Sequence, residues 1–153
     1  MKKLLFSAIL SLIFLAGVCL EANAQTFSGS IGTIKRGNAA KGTIVMSIPG
    51  GLHVNSSRPN SEYAIPTVVK VSATGAKVGT VGYPRGRTRK FGFSEDSINV
   101  YEGRTAFSFN VSVPANFKGN LVKVRAVVRY QACTDEVCYA PKSKEITLTA
   151  KVM

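Results

Sequence analysis

Ala106-Phe107-Ser108-Phe109-Asn110-Val111-Ser112-Val113 is the stretch that decides the fold. Phe107, Phe109, Val111 and Val113 fall on one side of an extended chain, and Ser108, Asn110 and Ser112 fall on the other. Side chains of a strand alternate between faces, so this pattern describes a strand with one face buried and one face wet. The segment from Asn120 to Ala132 repeats it at length, with Val122, Val124, Ala126, Val128 and Tyr130 inward and Lys123, Arg125, Arg129 and Gln131 outward. Near the carboxyl end, Ile146, Leu148, Ala150 and Val152 alternate with Glu145, Thr147, Thr149 and Lys151.

Working outward from these segments, shorter strands are expected at Thr67–Ser72, Lys77–Tyr83 and Ser97–Tyr101, the last closed by Glu102-Gly103. Ile44, Met46 and Ile48 lead into the turn sequence Pro49-Gly50-Gly51, after which Leu52 to Asn55 returns as a strand. No stretch has helical periodicity with caps. About seven to nine short strands separated by turns give an all-β fold, an immunoglobulin-like antiparallel β-sandwich, with a barrel as the alternative.

The chain has 153 residues, 45% hydrophobic and 18% charged, which suits one packed domain and excludes both wholesale disorder and a large multi-domain enzyme. Its net charge of +12 would suit an anionic partner, if the chain stays where such partners are. The amino terminus decides that. Met1-Lys2-Lys3 precedes an apolar run from Leu4 to Val18, and Ala22-Asn23-Ala24 places small residues ahead of Gln25. This is the pattern of a cleaved signal peptide over residues 1–24, leaving residues 25–153 as a single domain. A membrane anchor would need about 20 apolar residues. A lipoprotein signal using Cys19 is the weaker option, because Val18 stands where a small residue is expected. Removing 24 of 153 residues leaves 129, and losing Lys2, Lys3 and Glu21 leaves a net charge of +11. A periplasmic or secreted location follows, which removes nucleic acid as a partner.

Export also reduces three cysteines to two, Cys133 and Cys138, and an even pair in an oxidising compartment reads as one disulfide. Four residues separate them, Thr134-Asp135-Glu136-Val137, a common hairpin length whose flanking residues can face each other. A ring this small removes only about 2 kcal/mol of chain entropy, so the bridge is a weak staple. A reachable bridge near a loop tip suits exchange chemistry, while a purely structural role stays open. If the strand before it remains regular, Arg125 and Arg129 share the face of Cys133 and favour thiolate, against Asp135 and Glu136. One histidine, His53, leaves a zinc shell short of ligands, so no metal is expected, nor any cofactor. The same scarcity argues against a hydrolase built on His53. Asn55-Ser56-Ser57 and Asn110-Val111-Ser112 match glycosylation acceptors, a pattern frequent by chance. The basic segment Tyr83-Pro84-Arg85-Gly86-Arg87-Thr88-Arg89-Lys90 reads as a solvated loop at the sandwich edge, or as a surface steering an acidic partner. Phe91-Gly92-Phe93 after it could plug a core end or cover a site.

At Tyr130-Gln131-Ala132-Cys133, the acidic loop, Cys138-Tyr139-Ala140-Pro141 and the final strand, the chain resembles the amino-terminal periplasmic domain of the thiol:disulfide interchange protein DsbD. The likeness extends through Tyr83-Pro84-x-Gly86, Val100-Tyr101-Glu102-Gly103 and Gly51 to Pro66. The resemblance implies a Cys133–Cys138 pair that cycles between dithiol and disulfide. It implies electrons received from a thioredoxin-like donor served by a membrane electron-transfer protein. Oxidised periplasmic clients would take them, including disulfide isomerases and cytochrome c maturation factors. Cys138 would form the mixed disulfides and Cys133 would resolve them. A loop phenylalanine would cap the pair, with Phe91 or Phe93 as candidates and Tyr130 and Tyr139 in the surroundings. Such a domain would be a carrier more than an enzyme, and a monomer; the rival is a secreted binding module with a structural disulfide. The intercysteine loop is one residue shorter than in the best-known relatives, and two family tyrosine positions fall on His53 and Asn55. No membrane or thioredoxin domain follows Met153, so the expectation is a free-standing domain that borrows both.

Overall fold

The computed structural model describes residues 25–153; the expected signal peptide and Cys19 lie outside the described residues. Eleven strands follow in order: β1 (Thr26–Ile31), β2 (Ala39–Ser47), β3 (His53–Asn55), β4 (Val68–Ala73), β5 (Lys77–Val78), β6 (Arg87–Arg89), β7 (Ile98–Tyr101), β8 (Arg104–Ser112), β9 (Leu121–Tyr130), β10 (Ala132–Cys133) and β11 (Lys142–Lys151). All pairings between them are antiparallel, in the orders β1-β2-β8-β5, β11-β9-β4 and β10-β3-β7-β6. The fold is all-β and immunoglobulin-like, a sandwich rather than a barrel.

The alternating strands supply the two core faces. Phe107, Phe109, Val111 and Val113 from the β8 segment are buried against Val122, Val124, Ala126 and Val128 from β9. Leu148, Ala150 and Val152 complete the second face, while Lys123, Arg125, Arg129 and Thr147 stay exposed. Each fully buried Val or Phe contributes about 1.5–3 kcal/mol of transfer free energy, so this double face outweighs any local preference. At Gly42 the sheet makes room for a ring: a Cβ there would stand 2.4 Å from the Phe109 ring on the neighbouring strand.

The third sheet arises because the chain changes sheets at three places. After Pro49-Gly50-Gly51, β3 does not fold back on β2 but pairs with β7 and β10. At Glu102-Gly103 the chain leaves β7 for β8, with Gly103 at φ 60°, a left-handed conformation that favours glycine. At Gln131 it leaves β9 for β10. A small separate core of Phe91, Ile98 and Val100, with Ala64 against it, lies under this sheet.

Several expected boundaries change. The strand expected over Lys77–Tyr83 is regular only at Lys77–Val78, and touches β8 again through a bridge from Gly82 to Ser108. The Tyr83 hydroxyl then reaches across to accept the Val69 N–H at 2.8 Å, tying this edge to β4. The basic segment is not wholly a loop: Arg87–Arg89 is an edge strand on β7, and Arg89 holds Glu102 with two nitrogens at 3.1 and 3.0 Å. β1, with no alternating pattern to betray it, pairs along the outer edge of β2.

Candidate functional site

The cysteines stand where the longest buried face of the chain runs out. β9 carries its alternation to Tyr130; the chain then shifts sheets, and β10 pairs Ala132 with Val54 and Cys133 with His53. Both residues of β10 are buried, so the two-residue period is broken at Gln131. Arg125 and Arg129 therefore remain on the exposed face of β9 while Cys133 is buried, and the expected sharing of one face does not occur.

Thr134-Asp135-Glu136-Val137 forms a tight loop. The Thr134 hydroxyl accepts the Glu136 and Val137 N–H groups at 3.2 and 3.0 Å, and the Thr134 N–H donates to the Val137 carbonyl at 2.8 Å. Closing it, Cys138 lies directly opposite Cys133 with 4.0 Å between Cα atoms, and a disulfide joins them. The two partners differ sharply: Cys133 is 0% exposed, whereas Cys138 is exposed.

Cys138 opens into a cleft of about 500 Å³, lined by Phe93, Tyr63, Glu95, Asp96, Asn55 and Gln131. Phe93 and Tyr63 are exposed in this cleft, and Val137 and Tyr139, the chain neighbours of Cys138, are exposed as well, so the reachable cysteine has an apolar collar of these four. Beneath it runs a column of rings. Phe93 stacks on Phe91 at 5.2 Å between centroids, and Phe91 stacks on His53 at 4.1 Å. Phe91 is buried in the small core, and Phe93, at 42% exposure, is the phenylalanine that lines the Cys138 cleft.

Gln131 holds the hairpin in place, a role the sequence reading did not assign. Its Oε1 accepts the Asn55 side-chain amide at 3.0 Å and the Ile65 N–H at 3.3 Å, and its Nε2 donates to the Tyr139 carbonyl at 3.1 Å. Asn55, buried, also donates to the Ile65 carbonyl at 3.2 Å, and its own carbonyl accepts the Thr67 hydroxyl at 2.6 Å. Its place in the stretch Tyr130-Gln131-Ala132-Cys133 is the sequence signal that could have drawn attention to it.

Tyr139 flanks Cys138 with its side chain exposed, while its N–H donates to the Ala132 carbonyl at 2.9 Å. Tyr130 turns into the main core instead, 5.5 Å from Phe27, where burial pushes its phenol above the usual range. Burial also dominates at His53, holding its imidazole below 6.5; Asp135 and Glu102 oppose this shift and Arg89 adds to it. Among the described residues, no three of His, Cys, Asp and Glu are grouped to hold a metal ion. Chemically, the arrangement offers one accessible disulfide sulfur backed by a buried one.

Comparisons with known proteins bear on the fold and on the family. The crystal structure of the N-terminal periplasmic domain of ScsB from Proteus mirabilis superposes with a TM-score of 0.60 at 10% identity, covering 81% of this chain and 45% of that one. The chain thus spans less than half of that protein chain, and the likeness is one of fold. A family 123 glycoside hydrolase from Clostridium perfringens (TM-score 0.42, 12% identity, 84% of this chain and 27% of that one) has only loosely similar strands. The same holds for a yeast GGA1 GAE domain (0.45, 11%, 84% and 90%). No protein with a curated description matches the chain. Residues 18–150 match the family described as thiol:disulfide interchange protein DsbD, N-terminal, and with most of its length inside that match the chain belongs to this family.

Proposed function

We propose that this thiol–disulfide exchange domain is an exported two-electron carrier, working after removal of residues 1–24. It takes electrons from a thioredoxin-like donor, itself recharged by a membrane electron-transfer protein, and passes them to oxidised extracytoplasmic proteins. The observation that carries the reading is the unequal burial of the pair: Cys138 is exposed at a cleft, and Cys133 is covered.

A donor thiolate attacks Cys138 Sγ, the Cys133–Cys138 bond breaks, and its electron pair leaves on the Cys133 sulfur. The donor's second thiolate then attacks the mixed disulfide, leaving a donor disulfide and a domain dithiol. Two electrons and two protons have moved. The same steps in reverse sense reduce a client: Cys138 thiolate attacks the client disulfide, and Cys133 displaces the reduced client. Phe93 shields the pair between encounters, and Tyr139 with the rest of the collar supplies docking contacts. Such a carrier acts as a monomer.

The test is covalent trapping. With a thioredoxin-like donor that lacks its resolving cysteine and carries its remaining sulfur as a mixed disulfide with an aromatic thiol, the Cys138 thiolate of Cys133→Ser should expel that thiol and accumulate a donor–domain mixed disulfide, and Cys138→Ser should not. If neither variant nor the native pair exchanges with any such donor while the fold is intact, the disulfide is structural and the domain is a binding module.

A further inference from the structure

His53 presents an unusual combination. It is 2% exposed, its Nε2 is buried with no hydrogen-bond partner, and it sits directly opposite Cys133 in the β3–β10 pair. Residues directly opposed in an antiparallel pair point to the same face, with Cβ atoms about 4.5–5.5 Å apart. Phe91 clamps the ring from one side at 4.1 Å, so the imidazole is held rather than free to turn away. A buried, unpaired polar nitrogen costs about 1–3 kcal/mol, and in a native core such a group asks for a reason.

Cys133 supplies one. In the disulfide its sulfur needs no partner. Once the bond is cut, the same buried atom carries the leaving electron pair, in a place where charge is poorly solvated. It must then be protonated or hydrogen-bonded, and solvent does not reach it. The imidazole does reach outward: His53 also lines a second cleft, of about 490 Å³, on the other side of the ring column from solvent-facing Phe93. The charged groups around that cleft are Asp135 of the intercysteine loop, Glu102 after β7, and Arg89 and Lys90 of the β6 segment. Arg89 and Glu102 neutralise each other at 3.0 Å, which leaves Asp135 to favour a positive imidazole and Lys90 to oppose it.

We propose that His53 holds the proton of Cys133. When Cys133 leaves as thiolate, the imidazole takes up a proton through the Asp135 cleft, and the imidazolium so formed passes a proton to that sulfur and returns to the neutral ring. When Cys133 must attack a mixed disulfide, the neutral imidazole takes the thiol proton and frees the thiolate. Each cycle moves one proton per direction and no electrons through His53, so the overall exchange stays balanced. This inference rests on the exchange reading above, and it adds a pH dependence that accessible sulfurs alone do not give. A ring that burial keeps neutral near pH 7 is ready to take the thiol proton, and the same burial makes its imidazolium, once formed, a ready donor.

His53 is the sole histidine of the chain, so its imidazole resonances are unambiguous in untagged protein. The experiment is a pH titration of those resonances in the disulfide and dithiol forms, the latter made with a small dithiol rather than a protein donor. The midpoint should fall on reduction, because the Cys133 S–H then hydrogen-bonds the neutral ring and favours that form. Alongside it, His53→Gln should slow exchange with a thioredoxin-like donor about tenfold at pH 7 and flatten its pH profile. An unchanged midpoint overturns the proposal, as does a His53→Gln rate within twofold of the native one at every pH. If His53→Gln fails to fold, the titration of the native protein decides alone. Failure of the exchange reading is separately visible, because native protein would then not react with the donor while the titration still proceeds.

Discussion

Replacing Gln131 by Ala tests whether the hairpin is held by one side chain or by its disulfide. The change removes three hydrogen bonds, to Asn55, to the Ile65 N–H and to the Tyr139 carbonyl. Asn55 retains its bond to the Ile65 carbonyl, and the Tyr139 carbonyl lies where water can replace the lost donor. The Ile65 N–H is the group left without a partner. An orphaned donor costs about 1–3 kcal/mol and each exchangeable bond about 0.5–1, so the total is about 2–5 kcal/mol. For a domain of this size that is a drop in Tm of about 8–20 °C. The loss should be greater in the dithiol form, because the crosslink no longer pins the Tyr139 segment to β10. Thermal and urea unfolding of both redox forms, followed by circular dichroism, measures this directly. Gln131→Glu keeps both accepting contacts and loses only the donor to Tyr139, so it should sit between native and Ala. A Gln131→Ala domain within about 0.5 kcal/mol of native in both redox states would refute the reasoning.

Other outcomes follow from the same geometry. Phe93→Ala should raise the rate at which small thiols reduce the disulfide several-fold, while loss of its stack on Phe91 costs only about 0.5–1.5 kcal/mol; an unchanged reduction rate would remove Phe93 as the shield. Gly42→Ala should destabilise by about 1–3 kcal/mol in urea unfolding, because the new methyl meets the Phe109 ring, and a neutral result would mean the sheet yields there. His53 has its folded value lowered from 6.5, so the unfolded chain binds the proton first as pH falls. Its contribution is therefore complete above pH 6.5 and is lost as pH falls from there toward the folded value, and His53→Gln should flatten that decline in stability.

What could be read from the sequence was what one buried face imposes on a strand. β8, β9 and β11 alternate because the core takes every second residue, and all three lie where Phe107, Val124 and Leu148 put them. β1 and β6 gave no such signal: Arg87, Thr88 and Arg89 are all exposed, so nothing selects their side-chain character except the edge they occupy. β10 was hidden for the opposite reason. Ala132 and Cys133 are both buried because the chain is passing between sheets, and period-two parity then misplaced Cys133 relative to Arg125 and Arg129. At the site, four-residue spacing was enough to bring two cysteines face to face. The roles of Gln131 and His53 depend on Ile65, Asn55 and Cys133 from distant parts of the chain, a kind of closeness that no local pattern encodes. Phe91 and Phe93 are one glycine apart, and only the packing of the small core gives them different tasks.

Greasy rims around a reactive sulfur are indifferent to whom they greet, and another molecule of the same protein offers a matching rim. The collar of Tyr63, Phe93, Val137 and Tyr139 thus carries a hazard of self-adduct formation. Against it stands the net charge of +11 on residues 25–153, which makes siblings repel while neutral or acidic visitors approach unhindered. That protection reaches only about 10 Å at 0.1 M salt and shrinks to about 3 Å at 1 M. Brine and crowding together would therefore weaken the repulsion that keeps two such rims apart.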